Sequence, residues 1–312
     1  MLAGVTVVCL LGTAWGQSQP ARGLKLETLR VIFREESFAG VNANDAAAAF
    51  KVLGQTVGRI RGYEVVPEVS VVGTESEYLA ALKSGAFDLA VVDPWVYVQH
   101  QLEDVVRLDF AAEDGAGVHK QFVVLSRSDS GITNLASLAG RSLMTLRFLH
   151  ADLGRRWLDT ALLEAGWGSV ASHLKEVETA IKPAGVVLPV FFGKRDVALV
   201  DAGNFRTMVE LNPQVGKTVR PIQTSPPLPN VTVGTRAGPW ESEAYRSAVV
   251  EAMGDLASTP AGRQVLVLFK IKALVPVPVG YLDGVRAMQR VRGMTGSEPT
   301  KLPVAVVHPG GS

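Results

Sequence analysis

The sequence predicts an α/β fold of two lobes, each with a mostly parallel sheet flanked by helices, and a hinge between the lobes. The first observation is an internal repeat. Residues 85–93 and 193–201 share glycine at the first position, aspartate at the fourth and ninth, alanine at the sixth and valine at the eighth. The copies lie about 108 residues apart, the size of a small domain. The apolar run in each is continuous, which is typical of a strand buried on both faces.

The second observation is the order of elements before each copy. In the first half, a strand at 29–33 and a polar loop precede a helix that begins at Asp45. In the second half, a strand at 142–146, a loop at 147–151 and a helix at 152–165 follow the same order. Strands that alternate with helices build parallel sheets. Chance likeness of two buried strands is the alternative, and the repeated order favours a duplicated unit.

Start signals and breakers place the boundaries of these units. Thr74 and Glu77 have the spacing of a capping box and predict the start of the helix before the first copy. The stretches 113–117, with two glycines, and 221–229, with four prolines, predict the crossovers between the lobes. The predicted division is a signal peptide at 1–16, lobe 1 at 24–114 and 225–290, lobe 2 at 115–224, and a flexible C-terminal tail at 291–312.

Composition narrows the function classes. The chain has 312 residues, of which 20% are charged, and a formal net charge of +1. The chain therefore lacks the excess of positive charge that attracts nucleic acid, and we expect no nucleic-acid partner. After the N-terminal segment, no charge-free stretch approaches the roughly 20 residues that a spanning helix needs, so the mature chain is expected not to be membrane-embedded.

The N-terminus predicts export. The first 21 residues carry no charge, and an apolar run around Cys9 is followed by small residues up to Gly16. This pattern is typical of a signal peptide that is cleaved before Gln17. A buried N-terminal strand is the alternative. Cys9 is the only cysteine, so the cleaved chain is expected to have no disulfide and no thiolate metal site.

Candidate ligand-binding residues follow from strand ends, because open parallel sheets bind ligands beyond the carboxyl ends of their strands. Arg147 and His150 lie where a loop enters a helix, and free N–H groups there favour an anion. An ion pair between Arg147 and Asp152 is the alternative. Asp93 and Asp201 more readily cap the helices that follow them. The predicted ligand-binding set is Ser37, Asn42, Trp95, Tyr97, Arg147, His150 and Asn204.

Catalytic motifs are missing, which argues against an enzyme. The sequence has no Gly-x-Ser-x-Gly elbow, no phosphate-binding Gly-x-x-x-x-Gly-Lys motif and no Gly-x-Gly-x-x-Gly turn. Its five histidines are scattered, with no pair at metal-ligand spacing. We therefore predict no catalytic residue, no metal and no cofactor.

A further stretch carries a family resemblance. Residues 122–145 contain a strand, then Ser-Gly-Ile at 130–132, and then Leu-Ala-Gly-Arg at 138–141 before the next strand. This order resembles the phosphate/phosphite/phosphonate-binding family of ABC-transporter solute-binding proteins. The repeats, the Ser-Pro-Pro-Leu-Pro segment at 225–229 and the Thr-Pro-Ala-Gly turn at 259–262 fit the same pattern. The likeness runs from about Leu29 to about Tyr281.

The resemblance implies a type II periplasmic binding fold, a periplasmic location and an ABC permease as partner. It also implies capture of a small anion, phosphonate- or phosphate-like, in an interlobe cleft. The family's Ser-Thr-Ser-Gly-like turn is replaced here by residues 149–154, of which only Gly154 matches. The alternatives are a sensory or orphan binding protein that presents a different ligand to a membrane receptor, and an enzyme on the same fold.

Overall fold

The computed structural model of the chain describes residues 24–37, 42–147, 149–295 and 305–306. The predicted signal peptide at 1–16 lies outside these residues, as does most of the predicted C-terminal tail. The strands, in chain order, are β1 (Lys25–Arg34), β2 (Tyr63–Val72), β3 (Leu89–Val92), β4 (Val106–Glu113), β5 (His119–Lys120), β6 (Phe122–Arg127), β7 (Ser142–Leu146), β8 (Glu176–Ala180), β9 (Val197–Asp201), β10 (Val219–Thr224), β11 (Leu228–Pro229), β12 (Thr232–Arg236), β13 (Ala273–Pro276) and β14 (Ala305–Val306).

Helices cover both faces of the sheets. They are α1 (Ala43–Ile60), α2 (Glu75–Lys83), α3 (Pro94–Gln99), α4 (Leu149–Glu164), α5 (Val170–His173), α6 (Pro183–Phe191), α7 (Ala202–Leu211), α8 (Pro213–Thr218), α9 (Glu243–Gly254), α10 (Pro260–Leu268) and α11 (Asp283–Thr295). Short 3-10 helices span Glu35–Ser37, Leu102–Asp104, Leu135–Leu138 and Leu256–Ser258.

Two six-stranded sheets repeat one plan. The lobe 1 sheet has the order β13-β4-β12-β3-β1-β2, and the lobe 2 sheet has the order β10-β6-β9-β7-β8-β14. In each sheet the strand of the repeat, β3 or β9, lies between a parallel neighbour and an antiparallel one. The two copies of the repeat therefore occupy equivalent places in separate sheets, as the duplication predicts.

Each sheet joins a parallel part to antiparallel strands. β1, β2 and β3 are parallel in lobe 1, but β12 and β4 are antiparallel to their neighbours. The reason is the route of the chain. β6 and β12 each begin directly after a crossover between lobes, so each starts at the edge where the parallel strands end and must run in the opposite direction. The predicted parallel arrangement thus holds for β1, β2 and β3 in lobe 1 and for β7, β8, β9 and β14 in lobe 2.

The glycines that begin the two repeats adopt the left-handed conformation and end the helices before them. Gly85 follows α2 with φ of 69°, and Gly193 follows α6 with φ of 71°. The N–H of Gly85 donates to the carbonyl of Leu82, and that of Gly193 donates to the carbonyl of Val190. Residues with a side chain rarely adopt this conformation, so glycine lets each helix turn sharply into a buried strand.

The capping prediction also holds, while the second-lobe helix starts earlier than predicted. Thr74 and Glu77 form the capping box of α2, with the N–H of Glu77 donating to Thr74 Oγ1 over 3.2 Å. The helix predicted at 152–165 is α4, which begins at Leu149. The loop predicted at 147–151 is therefore shortened, because helix propensity in residues 149–151 extends the helix by most of one turn.

Each sheet packs against helices on both sides. In lobe 1, α1, α9 and α10 cover one face, and α2 and α3 cover the other. In lobe 2, α4 covers one face and α6 covers the other. The hydrophobic cluster under α4 also contains Val285 and Met288 from α11 and Trp95 from α3. The C-terminal helix thus continues past the predicted boundary at residue 290 and packs on lobe 2.

Candidate functional site

The two sheets present equivalent edges to the crossovers between the lobes. Val92 at the end of β3 pairs with Thr232, the first residue of β12, and Asp201 at the end of β9 pairs with Phe122, the first residue of β6. We call these the facing edges: the ends of β1, β3, β7, β8 and β9 and the turns that follow them. They are the edges at which ligands bind to open α/β sheets.

Asp93 and Asp201 cap the helices that leave these edges, as the sequence predicts. Asp93 Oδ1 accepts hydrogen bonds from the N–H groups of Trp95 at 2.8 Å and Val96 at 3.1 Å. Asp201 Oδ1 accepts one from the N–H of Asn204 at 2.9 Å. Asp93 therefore caps α3 and Asp201 caps α7, because each accepts from N–H groups that have no partner within the helix.

The side chain of Trp95 belongs to lobe 1 but packs in the hydrophobic core of lobe 2. It belongs to α3 of lobe 1, yet its ring packs in the hydrophobic cluster beneath α4 and is 3% exposed. The guanidinium carbon of Arg156 lies 4.6 Å from the ring centroid, and that of Arg292 lies 5.7 Å from it. Both distances fall within the range of cation–π attraction, so two cations of different helices contact one indole.

The first turns of α4 carry a compact charge cluster. Asp152 forms ion pairs with Arg155 and with Arg156, whose Nε donates to Asp152 Oδ2 over 2.5 Å. Burial acts to raise the pKa of Asp152, but the charges and hydrogen bonds of Arg156 and Arg155 outweigh it and hold the pKa below its ordinary value. Asp152 is thus an ionised carboxylate that does not pair with Arg147, and the predicted alternative pairing is wrong.

Asp93 of lobe 1 lies near this charge cluster of α4. Its pKa is raised to about 6, chiefly by burial and also by the nearby charge of Asp152, against the hydrogen bonds from α3 and the charge of Arg156. The charges of Asp93 in lobe 1 and Asp152 in lobe 2 therefore act on each other, and Arg156 lies near both carboxylates. Their pKa values diverge because Asp152 holds two guanidinium partners while Asp93 relies on backbone N–H groups.

Arg147 remains available at the end of β7. Its backbone N–H donates to the carbonyl of Ala180, whereas its guanidinium is exposed and has no ion pair or hydrogen bond among the described residues. It lies two residues before α4, whose 16 residues give a substantial helix dipole. The side chain of His150 falls outside the described residues, so its predicted role stays a prediction.

Ser37 and Asn42 bracket the end of β1 and the start of α1. Ser37 closes the 3-10 turn that contacts α4, and its buried hydroxyl has no hydrogen-bond partner among the described residues. Asn42 is exposed and caps α1, with Oδ1 accepting from the N–H of Asn44 at 2.8 Å. Of the two, Ser37 keeps a free hydrogen-bonding group at the facing edge.

Tyr97 and Asn204 are already engaged within their own lobes. Tyr97 is buried in the lobe 1 core on the far side of α3 from Trp95, and its hydroxyl donates to the carbonyl of Val106 over 3.1 Å. Asn204 lies in the first turn of α7, and its side-chain amide donates to Asp201. The structure thus separates Trp95 from Tyr97, two members of the predicted ligand-binding set.

Two threonines of lobe 2 escaped the sequence prediction. Thr145 on β7 pairs with Thr179 on β8, each one residue before its strand ends. They are 1% and 4% exposed, and neither hydroxyl has a hydrogen-bond partner among the described residues. The sequence signal that could have found them is a hydroxyl residue near the end of a buried strand, shortly before a helix begins. Buried hydroxyls without partners are uncommon, which draws attention to this edge.

Arg34 is the corresponding cation of lobe 1 that the sequence reasoning missed. It is the last residue of β1 and is 9% exposed, and its guanidinium pairs with Glu36 at 2.7 Å and Glu75 at 3.3 Å. Its Nε is buried without a partner among the described residues. The facing edges thus hold a buried cation on one lobe and an exposed, unpaired cation on the other.

Metal and membrane signals are missing from the part of the chain described. Within it, no three His, Cys, Asp or Glu residues are grouped so that they could hold a metal ion. None of the helices described in the structure has the length and hydropathy to cross a bilayer.

Comparison with known families decides the class of protein. A family model described as "ABC transporter, phosphonate, periplasmic substrate-binding protein" matches residues 39–278. The chain belongs to this family. The resemblance seen in the sequence is thereby confirmed. The family consists of solute-binding proteins of transporters and is not a family of enzymes. Among curated protein sequences, none matches the chain.

Solved structures confirm the type II periplasmic binding fold. XAC2383 from Xanthomonas citri, in a structure bound to ATP, superposes with a TM-score of 0.65 at 17% identity, covering 85% of this chain and 98% of that one. A binding protein component of an ABC phosphonate transporter from Pseudomonas aeruginosa gives 0.60 at 10% identity, with coverage of 86% and 87%. PhnD1 from Prochlorococcus marinus, in complex with methylphosphonate, gives 0.59 at 12% identity, with coverage of 84% and 97%.

Proposed function

We propose that the chain is a periplasmic solute-binding protein that captures a small phosphonate- or phosphate-like anion between its lobes and delivers it to an ABC permease. Family membership supports the solute-binding role. The observation that carries the ligand class is the set of unused donors at the facing edges. They comprise the exposed guanidinium of Arg147 and the buried hydroxyls of Ser37, Thr145 and Thr179.

The charge balance of the edge favours an anion at Arg147 rather than at Arg156. Arg156 is held by Asp152 and by the ring of Trp95, so its charge is already compensated. Arg147 has no such partner among the described residues, and a guanidinium can grip a phosphonate through two parallel hydrogen bonds. Hydroxyls at the strand ends can take over the role of the hydroxyl turn that residues 149–154 lack.

The ligands bound in two similar structures fit this class without fixing the ligand of this chain. PhnD1 is in complex with methylphosphonate and XAC2383 is bound to ATP, and both ligands carry tetrahedral phosphorus oxyanions. Methylphosphonate, phosphate, phosphite and ATP are therefore the first solutes to test. Sulfate serves as an oxyanion without phosphorus, and an uncharged sugar serves as the blank.

The test is a thermal-shift screen followed by calorimetry on the purified chain without its leader. A solute present at about 100 times its Kd should stabilise the native state by about 2.7 kcal/mol, which is a clear shift in Tm. Stabilisation by one or more phosphorus oxyanions and not by the sugar is the expected result. A response to uncharged solutes alone would refute the ligand class while leaving the family assignment intact.

Arg147→Ala is the decisive variant. Removal of a charge-assisted hydrogen bond should cost about 1.5–3 kcal/mol, so affinity for the best oxyanion should fall roughly tenfold to more than a hundredfold. Arg220→Ala is the matched control, because Arg220 is an exposed arginine on β10 that lies near the opposite end of the sheet. Equal affinity of both variants and the parent would show that the anion is held elsewhere.

A further inference from the structure

The lobes are joined by more than their crossovers. The segments 114–121 and 225–231 carry the chain across, and the hydroxyl of Tyr281 is within hydrogen-bond distance of a carbonyl in each. It lies 2.7 Å from the carbonyl of Val118 and 3.1 Å from that of Asn230. The chain then enters α11, which contacts α3 of lobe 1 and α4 of lobe 2. A third segment thus spans the two lobes.

α11 is fixed firmly on lobe 2. Val285 and Met288 are buried in the cluster beneath α4, and Arg292 forms a buried ion pair with Asp159. The second oxygen of Asp159 accepts from the N–H of Val170 over 2.6 Å. An ion pair with both members about 10% exposed holds its geometry because breaking it would leave a charge buried without its partner.

Trp95 is the piece of lobe 1 that this assembly holds. Its backbone carbonyl accepts from Gln289 Nε2 on α11 over 3.1 Å, and its indole N–H donates to Gln99 over 2.5 Å. The ring is in cation–π contact with the guanidinium of Arg156 on α4 and with that of Arg292 on α11. If the lobes part, the indole must leave a hydrophobic cluster and lose both cations at once.

We infer that Trp95 is a positioning residue for solute capture: docked against Arg156 and Arg292, it holds the lobes together before any solute binds. The effect on solute affinity rests on the proposed function, whereas the contacts of Trp95 with lobe 2 do not. A chain whose binding-competent arrangement is already populated binds with less loss of affinity to the conformational step. The latch made by these three residues therefore raises affinity without touching the solute.

Small-angle X-ray scattering on the solute-free chain tests the latch directly. The parent protein should have the radius of gyration calculated from this structure, in which Trp95 packs in the lobe 2 cluster. Trp95→Ala should have a larger radius, because the attraction and the buried ring are both lost. Trp167→Ala is the control, since Trp167 is a partly exposed lobe 2 tryptophan that stacks on His173 away from lobe 1.

A second variant guards against misfolding, because Trp95→Ala leaves a cavity. Arg156→Gln removes one cation and leaves the indole in place, while Arg155 still pairs with Asp152. This variant should keep its circular dichroism spectrum and expand in solution. Its affinity for the best oxyanion of the screen should fall about 2- to 30-fold, the range expected from the loss of one cation–π contact.

The outcomes separate this inference from the proposed function. A solute-free parent that is already as expanded as Trp95→Ala would overturn the latch, as would folded variants with the radius of the parent. Neither result depends on which solute binds. Expansion of both variants, combined with no response to any oxyanion, would support the latch and refute the proposed ligand class.

Discussion

Replacement of Asp93 by asparagine should reveal the cost of burying this carboxylate. The folded protein raises the pKa of Asp93 from the ordinary value of 3.8 to about 6, chiefly through burial. The native state therefore binds this proton more tightly than the unfolded chain does. Its contribution to stability is fully present below about pH 4 and is lost as pH rises through 6.

The magnitude follows from the size of the shift. A change of about two pKa units corresponds to roughly 3 kcal/mol between the protonated and ionised forms. The asparagine side chain would retain an oxygen for the N–H groups of Trp95 and Val96, and asparagine caps helices about as well as aspartate. Asp93→Asn should thus match the parent near pH 4 and exceed it by up to about 3 kcal/mol at pH 8.

Urea unfolding at pH 4, 6 and 8 measures the difference in free energy of unfolding between the two proteins. Asp129→Asn is a control of opposite sign, because Arg127 lowers the pKa of Asp129 through a hydrogen bond. That variant should lose stability at pH 8 and approach the parent only in acid. A stability difference for Asp93→Asn that does not change with pH would refute the burial argument.

Three further substitutions test local packing and capping. In Gly154→Ala, the new Cβ would lie 2.4 Å from a ring carbon of Phe122, so α4 must shift and the free energy of unfolding should fall by about 1–3 kcal/mol. Gly293→Ala meets no atom within 4 Å and should stabilise α11 at this exposed position by about 0.5–1 kcal/mol in the same denaturation assay. Thr74→Ala removes the capping box with Glu77 and should cost about 1 kcal/mol, which Thr74→Ser should largely restore.

Local signals carried much of the fold. The repeat placed β3 and β9 correctly because glycine, a buried strand and a capping aspartate are all written within nine residues. Strand direction in the other half of each sheet was not predictable in this way. β6 and β12 run antiparallel because the chain enters them from the opposite lobe, and no residue within either strand records the route of the chain.

The site was harder to predict because its partners come from both lobes. Asp152 and Arg156 have the spacing of a helical ion pair, which the sequence shows. That Arg156 also lies over the ring of Trp95 depends on how α3 of one lobe meets α4 of the other. The sequence placed Trp95 at the facing edge, and only the packing shows that its ring is buried there rather than lining a wall. Arg147 was predicted only from its position after the end of a strand.

The interruption of lobe 1 by lobe 2 has a consequence for the order of folding. Thr232 of β12 donates its hydroxyl proton to the carbonyl of Val92 on β3, across 140 residues of chain. β12 lies between β3 and β4, so both strands present open edges until the whole of lobe 2 has been made. Strands β6 to β10 of lobe 2 pair within one unbroken stretch and can assemble first. Open edges recruit other chains. While the chain is being synthesised, residues 24–114 are therefore the segment whose strand edges are most open to pairing with other chains.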